Sequence, residues 1–300
     1  MSEPTIAGTV SPQRPDNPAL GIGATLAGAL VRTVNDAAGK FAVADFPIPQ
    51  YNAVRSVFTL GIMLPGLARE GGWRALRTQR PWAHALRGAI QVFDVFLWFV
   101  VLRNMALADA AAIGLSTPVM TTLMSALVLK EKVGPRRWAA VLIGFVGMLL
   151  IVRPGTGLFN PYALLAIVIA ASFSVFVITN RFLRHTETVT ALAFWPQAAV
   201  GVVAIVWAPF VWQPLTASGL TAMVVGGLAA GATHLLIAVS FRSASPALLA
   251  PFDYTVLIWA VGIGYVMFGD LPTASTVAGM VLIAGAGVFI AYREARVAAS

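Results

Sequence analysis

Ala217–Phe241 reads ASGLTAMVVGGLAAGATHLLIAVSF, without one Asp, Glu, Lys or Arg. A helix needs roughly 20 apolar residues to cross a hydrocarbon core about 30 Å thick. This stretch is long enough, and a helix on the surface of a soluble protein would carry a charged face. Comparable stretches lie on either side. Reading outward gives ten, at about 19–43, 49–69, 82–103, 107–129, 134–152, 161–182, 188–212, 217–241, 245–268 and 272–292. Prolines punctuate the gaps, among them Pro81, Pro135, Pro161, Pro246 and Pro272. Proline at a helix start costs no hydrogen bond, because that N–H has no partner within the helix anyway. The predicted fold is therefore all-α and integral to the membrane, with ten transmembrane helices. The spans are continuously apolar and do not alternate, which argues against an outer-membrane barrel. Their repetition excludes a lone cleaved signal peptide.

The composition agrees. Of 300 residues 58% are hydrophobic and 11% charged, which suits a chain whose solvent is lipid. The net charge of +8 invites a nucleic-acid reading, but no soluble segment combines a basic patch with interleaved aromatics. The basic side chains instead orient the chain. If the N-terminus is cytoplasmic, the inward ends carry fourteen, including Arg69, Arg74, Arg77 and Arg80 in one loop. The outward ends carry three: Lys40, Arg103 and Arg153. This asymmetry predicts both termini inside and an even number of spans. Residues 1–18, rich in Pro, Ser, Thr and Asn, read as a disordered cytoplasmic tail, and 293–300 as a second tail. The chain has no cysteine, so disulfides and thiolate metal sites are excluded.

Sliding the chain against itself by 139 positions brings Gly88 onto Gly227, Arg103 onto Arg242, Ala111 onto Ala250 and Glu131 onto Asp270. At an offset of 141, Lys40-Phe41 meets Arg181-Phe182. Two units are expected, 19–153 and 154–292. Each has five spans, an odd number, so the second lies upside down relative to the first. Inverted repeats of this kind place a substrate site near mid-depth between the halves, which predicts a central cavity.

No HExxH, GxSxG or P-loop occurs, and His84, His185 and His234 lack metal-ligand spacing. No cofactor, metal or catalytic site is expected. The informative residues are polar groups inside spans, where a charge facing lipid is costly. Arg32, Asp36 and Lys40 recur every four residues on one face of span 1, with Asn35 beside them. Arg32–Asp36 and Asp36–Lys40 pairs are therefore expected. Span 2 carries Asn52 and Arg55, and Arg55 falls at nearly the depth of Asp36. Span 3 adds Gln91 and Asp94. Such a set serves either as an ion-pair network joining spans 1 to 3, or as a site where Asp36 or Asp94 exchanges a proton and Arg32 or Arg55 holds an anionic group. In the second half, His234 and Asp253 share a depth and can form a relay, or His234 can make one structural hydrogen bond. Trp98, Trp195, Trp259 and Tyr254 can wall a pocket for a ring-bearing solute, or sit against lipid. Ser116-Thr117-Pro118 and Trp195-Pro196-Gln197 are expected helix breaks or kinks. The small residues Gly144, Gly147, Gly227, Gly231, Gly285 and Gly287 fit close helix packing.

Leu102–Pro154 reads LRNMALADAAAIGLSTPVMTTLMSALVLKEKVGPRRWAAVLIGFVGMLLIVRP. With Arg103, the Ala-rich run, Pro118, Glu131 and Arg136-Arg137-Trp138, it resembles the drug/metabolite transporter superfamily, in its bacterial ten-helix branch with two EamA domains. Phe241–Tyr292 looks like the matching second half, with Asp270 where the family often has Glu. Asn35-Asp36-Ala37-Ala38-Gly39-Lys40 looks like the span-1 pattern of that branch. The resemblance implies a secondary transporter of a small organic metabolite in a bacterial inner membrane, working by alternating access, and not an enzyme. It brings riboflavin or a flavin-like vitamin as the specific expectation, with amino-acid, amine or drug export as the alternative. A membrane-embedded enzyme is more remote, since Asp253 and His234 have no identifiable nucleophile. With no ATP-binding motif, coupling falls to a proton or other ion, to a counter-substrate, or to the solute gradient alone. The expected partners are the small-molecule substrate and the lipid bilayer. The sequence sets no oligomeric state.

Overall fold

The structure is a computed structural model that describes residues 17–69, 72–128, 134–154, 159–183 and 186–299. Most of the expected N-terminal tail, together with Lys130, Glu131, Lys132, Arg184 and His185, lies outside the described residues. Twelve α-helices are present among them: α1 (Pro18–Asp45), α2 (Ile48–Arg69), α3 (Pro81–Asn104), α4 (Leu107–Gly114), α5 (Thr117–Val128), α6 (Pro135–Val152), α7 (Pro161–Leu183), α8 (Val189–Trp207), α9 (Ala217–Ser243), α10 (Pro246–Asp253), α11 (Val256–Phe268) and α12 (Ala274–Ala299). Proline opens α1, α3, α6, α7 and α10, and the side chains of Asn17, Thr188 and Thr216 cap α1, α8 and α9 by accepting backbone N–H bonds. Gly269 ends α11 at a φ of 71°, a left-handed turn that glycine reaches without a Cβ penalty.

Among the described residues seven stretches are both long and apolar enough to cross a membrane, and Trp138–Val152 is a shorter apolar helix. The chain is a multi-pass membrane protein. α1 and α2 are long enough too, but they carry Arg32, Asp36, Lys40 and Arg55, which lower their apolar character. Along α8 and α11 the outer surface is apolar: Val202, Val206, Ile258 and Val266 are all largely exposed. That is the expected surface of a protein solvated by lipid tails.

Two expected spans are broken. The stretch at 107–129 divides into α4 and α5 at Leu115-Ser116, and that at 245–268 into α10 and α11 at Tyr254-Thr255. The first break follows from Pro118, which cannot donate to the Gly114 carbonyl. The Thr117 hydroxyl donates to that carbonyl instead, at 2.7 Å. Of the break or kink expected at Trp195-Pro196-Gln197, the break does not occur, and α8 runs through Pro196. The reason is a substitute donor: Pro196 orphans the Leu192 carbonyl, and the Arg87 guanidinium of α3 donates to it at 3.0 Å. At the C-terminal end, α12 runs on to Ala299 through the stretch expected as a tail.

The helices interlock closely. α1 packs mainly on α9, α6 on α12, α2 on α8 and α9, and α3 on α7 and α8. Glycines set the closest approaches. A Cβ on Gly147 would meet the Gly279 carbonyl oxygen at 2.9 Å, and one on Gly279 would meet that of Gly147 at 2.6 Å. A Cβ on Gly227 would meet the Arg55 carbonyl oxygen at 2.6 Å. Small residues let membrane helices approach where no hydrophobic force drives them together.

Candidate functional site

A cavity of about 280 Å³ opens where α1, α2, α3, the α4–α5 break, α7 and α11 meet. Seven of the polar and aromatic residues singled out in the sequence line it: Arg32, Asn35, Asp36, Arg55, Gln91, Asp94 and Trp98. They come from the middle of α1, α2 and α3, so a site built from distant segments forms at mid-length of the helices. Val95, Phe99, Gly114, Thr117, Ala170 and Phe173 complete much of the wall.

Asp36 is the hub. One of its carboxylate oxygens accepts from the Asn35 amide at 3.0 Å and from the Trp98 indole N–H at 3.1 Å. The Asn35 side-chain oxygen in turn accepts from Arg55 Nε at 3.0 Å. Arg55 is buried and lies over the Phe99 ring, 5.6 Å from its centroid, which offsets part of the cost of burying a cation. Asp36 and Arg55 thus share a depth, as their spacing implies, but Asn35 stands between them.

The two pairs expected along α1 do not form among the described residues. Arg32 turns to Asp253 at the end of α10, with Nη2 and Oδ1 3.2 Å apart. Lys40 donates to the Leu102 and Met105 carbonyls at the end of α3, at 3.1 and 2.5 Å, and lies 3.8 Å from Asp270. Spacing on one face permits an intrahelical pair, but tertiary partners with free acceptors compete for the same cations. The open carbonyls at the end of α3 win Lys40.

His234 and Asp253 are not brought together either. His234 Nε2 lies 3.1 Å from the Gln197 amide, on the α8–α9 contact, while Asp253 is taken by Arg32. Trp195 does not line the cavity. Its indole N–H donates to the Leu76 carbonyl at 3.1 Å and its ring meets Phe194 edge-on. Tyr254 lies at the α10–α11 break, in a separate crevice with Phe289 and Tyr292. Trp259 is half exposed on α11. The rings at the cavity are therefore Trp98, Phe99 and Phe173.

Sequence reasoning passed over Arg87 and Glu187. Arg87 is 1% exposed and donates to the Phe176 and Leu192 carbonyls and to the Thr179 hydroxyl. A charge inside a span, on the face of Gln91 and Asp94, is the signal that would have found it. Glu187 accepts from Thr78 at 2.9 Å and meets His84 at 3.1 Å, bridging the start of α3 to the start of α8. Its loop position gave no such signal.

Comparison with known proteins adds the identity of the first half. The EamA-like transporter family matches residues 19–153. This part of the chain matches an EamA-like transporter domain. The match bears out the resemblance read from Leu102–Pro154. The EamA domain supplies every polar residue of the cavity, from Arg32 to Thr117, while α7 and α11 supply apolar wall. An S-adenosylmethionine uptake transporter of Rickettsia bellii is 27% identical over 275 residues, 92% of this chain and 94% of that protein. A riboflavin transporter of Brucella anthropi is 28% identical over 244 residues, 78% of this chain and 84% of that one. One solved crystal structure superposes with a TM-score of 0.58 at 23% identity, covering 91% of this chain and 99% of that chain, and so shares the fold. The family that matches 19–153 and the relatives named here are all transporters.

Proposed function

We propose that this chain is a secondary transporter that takes up a small, ring-bearing organic metabolite across the bacterial inner membrane by alternating access. The observation that carries the reading is the cavity, which joins aromatic faces (Trp98, Phe99, Phe173) to both signs of charge (Asp36 and Asp94, Arg32 and Arg55). Aromatic faces stack on planar heterocycles, and a few placed charges orient a solute. S-adenosylmethionine, the solute named for the Rickettsia relatives, combines an adenine ring with a zwitterionic tail and a cationic centre, and is the leading substrate. Riboflavin, named for the Brucella relative, is the second: it uses the rings and leaves the charges less employed.

Two inverted five-helix units, 19–153 and 154–292, are part of this proposal. The two breaks fall in the fourth span of each unit. Packing is also exchanged between units: α1 on α9 mirrors α7 on α3, α2 on α9 mirrors α8 on α3, and α6 faces α12. A Cβ on Gly88 would meet Ala199 of α8 at 2.9 Å, just as one on Gly227 would meet α2. Along α1, Arg32 and Lys40 stand about 12 Å apart and grip Asp253 and Asp270, so one cross-unit ion pair guards each side of Asp36. Releasing one while the other holds would open the cavity to one side at a time.

Purified protein in proteoliposomes should show saturable uptake of radiolabelled S-adenosylmethionine and counterflow against unlabelled solute inside. Uptake linear in concentration and without counterflow would identify a channel. Saturable uptake of riboflavin alone would promote the second reading.

A further inference from the structure

α3 presents Arg87, Gln91, Asp94 and Trp98 along one face. The basic groups around the cavity are engaged: Arg87 with the Phe176 and Leu192 carbonyls and Thr179, Arg32 with Asp253, Arg55 with Asn35 and the Phe99 ring. Asp94 differs. It is 4% exposed and lines the cavity, and no backbone N–H or cationic side chain is hydrogen-bonded to either carboxylate oxygen. Ser172 on α7 is its polar neighbour, and among the described residues Asp94 takes part in no ion pair. A buried carboxylate with one hydroxyl beside it and no counter-charge is costly, and the cost falls when a positive group arrives. Trp98, Phe99 and Phe173 line the same cavity, and the negative face of an aromatic ring also attracts cations.

We infer that Asp94, walled by these rings, is the subsite for a positive centre on the substrate, and that it separates a cationic ring-bearing metabolite from its neutral counterpart. This rests on the transport reading above and adds to it the charge of the solute and the residue that reads it. Asp36 is less suited to the same work, because one of its oxygens already accepts from the Asn35 amide and the Trp98 indole, and the cations Arg32 and Arg55 line the cavity beside it.

The test uses three probes on the full chain in proteoliposomes. S-adenosylmethionine carries a sulfonium; S-adenosylhomocysteine has the same ring and the same zwitterionic tail but a neutral thioether; riboflavin is a neutral ring. Wild type should favour S-adenosylmethionine over S-adenosylhomocysteine by about tenfold or more in kcat/KM, the size expected for one charged contact in a dry site. Asp94→Asn should bring that ratio close to one while S-adenosylhomocysteine still enters, and Asp94→Glu should keep most of the preference. The wild-type ratio can overturn the inference without any variant having to fold, and the variants assign the preference to Asp94. A wild-type ratio near one, or a tenfold preference that survives Asp94→Asn, overturns the inference. Uptake of riboflavin or S-adenosylhomocysteine without S-adenosylmethionine overturns it too, and leaves the transport reading standing. Wild-type protein that takes up none of the three overturns both.

Discussion

Two tryptophans chosen from the sequence on the same grounds have different surroundings. Trp98 lines the cavity and donates its indole N–H to Asp36, whereas Trp195 donates to the Leu76 carbonyl outside it. Trp98→Phe keeps a ring and removes the donor. A hydrogen bond to a charged group contributes about 1.5–3 kcal/mol, so the apparent KM should rise about tenfold with membrane expression intact. Trp195→Ala should leave KM unchanged and lower the melting temperature of the solubilised protein modestly, because it removes the bond to the Leu76 carbonyl and the edge-on contact with Phe194 from a partly exposed ring. Uptake kinetics and thermal unfolding measured side by side check both. Equal effects on KM would mean that the cavity does not hold the solute.

Among the helices, the α6–α12 crossing is the tightest test of packing. Gly147 and Gly279 each sit against the other's carbonyl oxygen, and both atoms in the contact belong to backbone. No side-chain rotation relieves such a clash. Gly279→Ala should therefore push the helices apart and destabilise the protein by about 1–3 kcal/mol, seen as a lower melting temperature in detergent. Gly23, in α1, has nothing within 4 Å of its added Cβ. Gly23→Ala should leave the melting temperature unchanged or raise it, since alanine favours the helix. If the two variants melt alike, close glycine packing is not what joins α6 to α12. The broken helices follow a different rule: α4 and α5 part where Pro118 removes a donor, while α8 survives Pro196 because Arg87 replaces one.

For the molecule as a whole, the cross-unit contacts of α1 make a prediction about access. Lys40 ties α1 to the end of α3 and to Asp270, at the end expected to face outward. Lys40→Ala should loosen that end. The chain has no cysteine, so Thr117→Cys in the cavity wall is a clean reporter. An impermeant thiol reagent added outside cells should label Thr117→Cys severalfold faster in the Lys40→Ala background. A cysteine at Arg77 should stay unlabelled from outside, as the fourteen-to-three charge asymmetry requires. Unchanged labelling of Thr117→Cys would remove Lys40 from gating, and labelling at Arg77 would reverse the topology.

The membrane class, the approximate position of each span and the helix-starting prolines were all legible in the chain, because length and apolarity decide whether a helix can sit in lipid. So were seven members of the cavity, since a polar group inside a span must face protein or water. Helical spacing also placed Arg32, Asp36 and Lys40 on one face. What spacing could not settle was the partner of each. Arg32 pairs with Asp253, 221 positions away, and Lys40 with carbonyls more than 60 positions away. Phe173 is an ordinary apolar residue until α7 brings it to the cavity that Trp98 also lines. His234 and Asp253, matched in depth, are parted by Gln197 and Arg32. Depth in the membrane is one coordinate, and it follows from counting residues along a span. Which helix stands next to which, and which way each is turned, depends on how glycines, carbonyls and charges from distant segments satisfy one another. That is decided only when the helices pack.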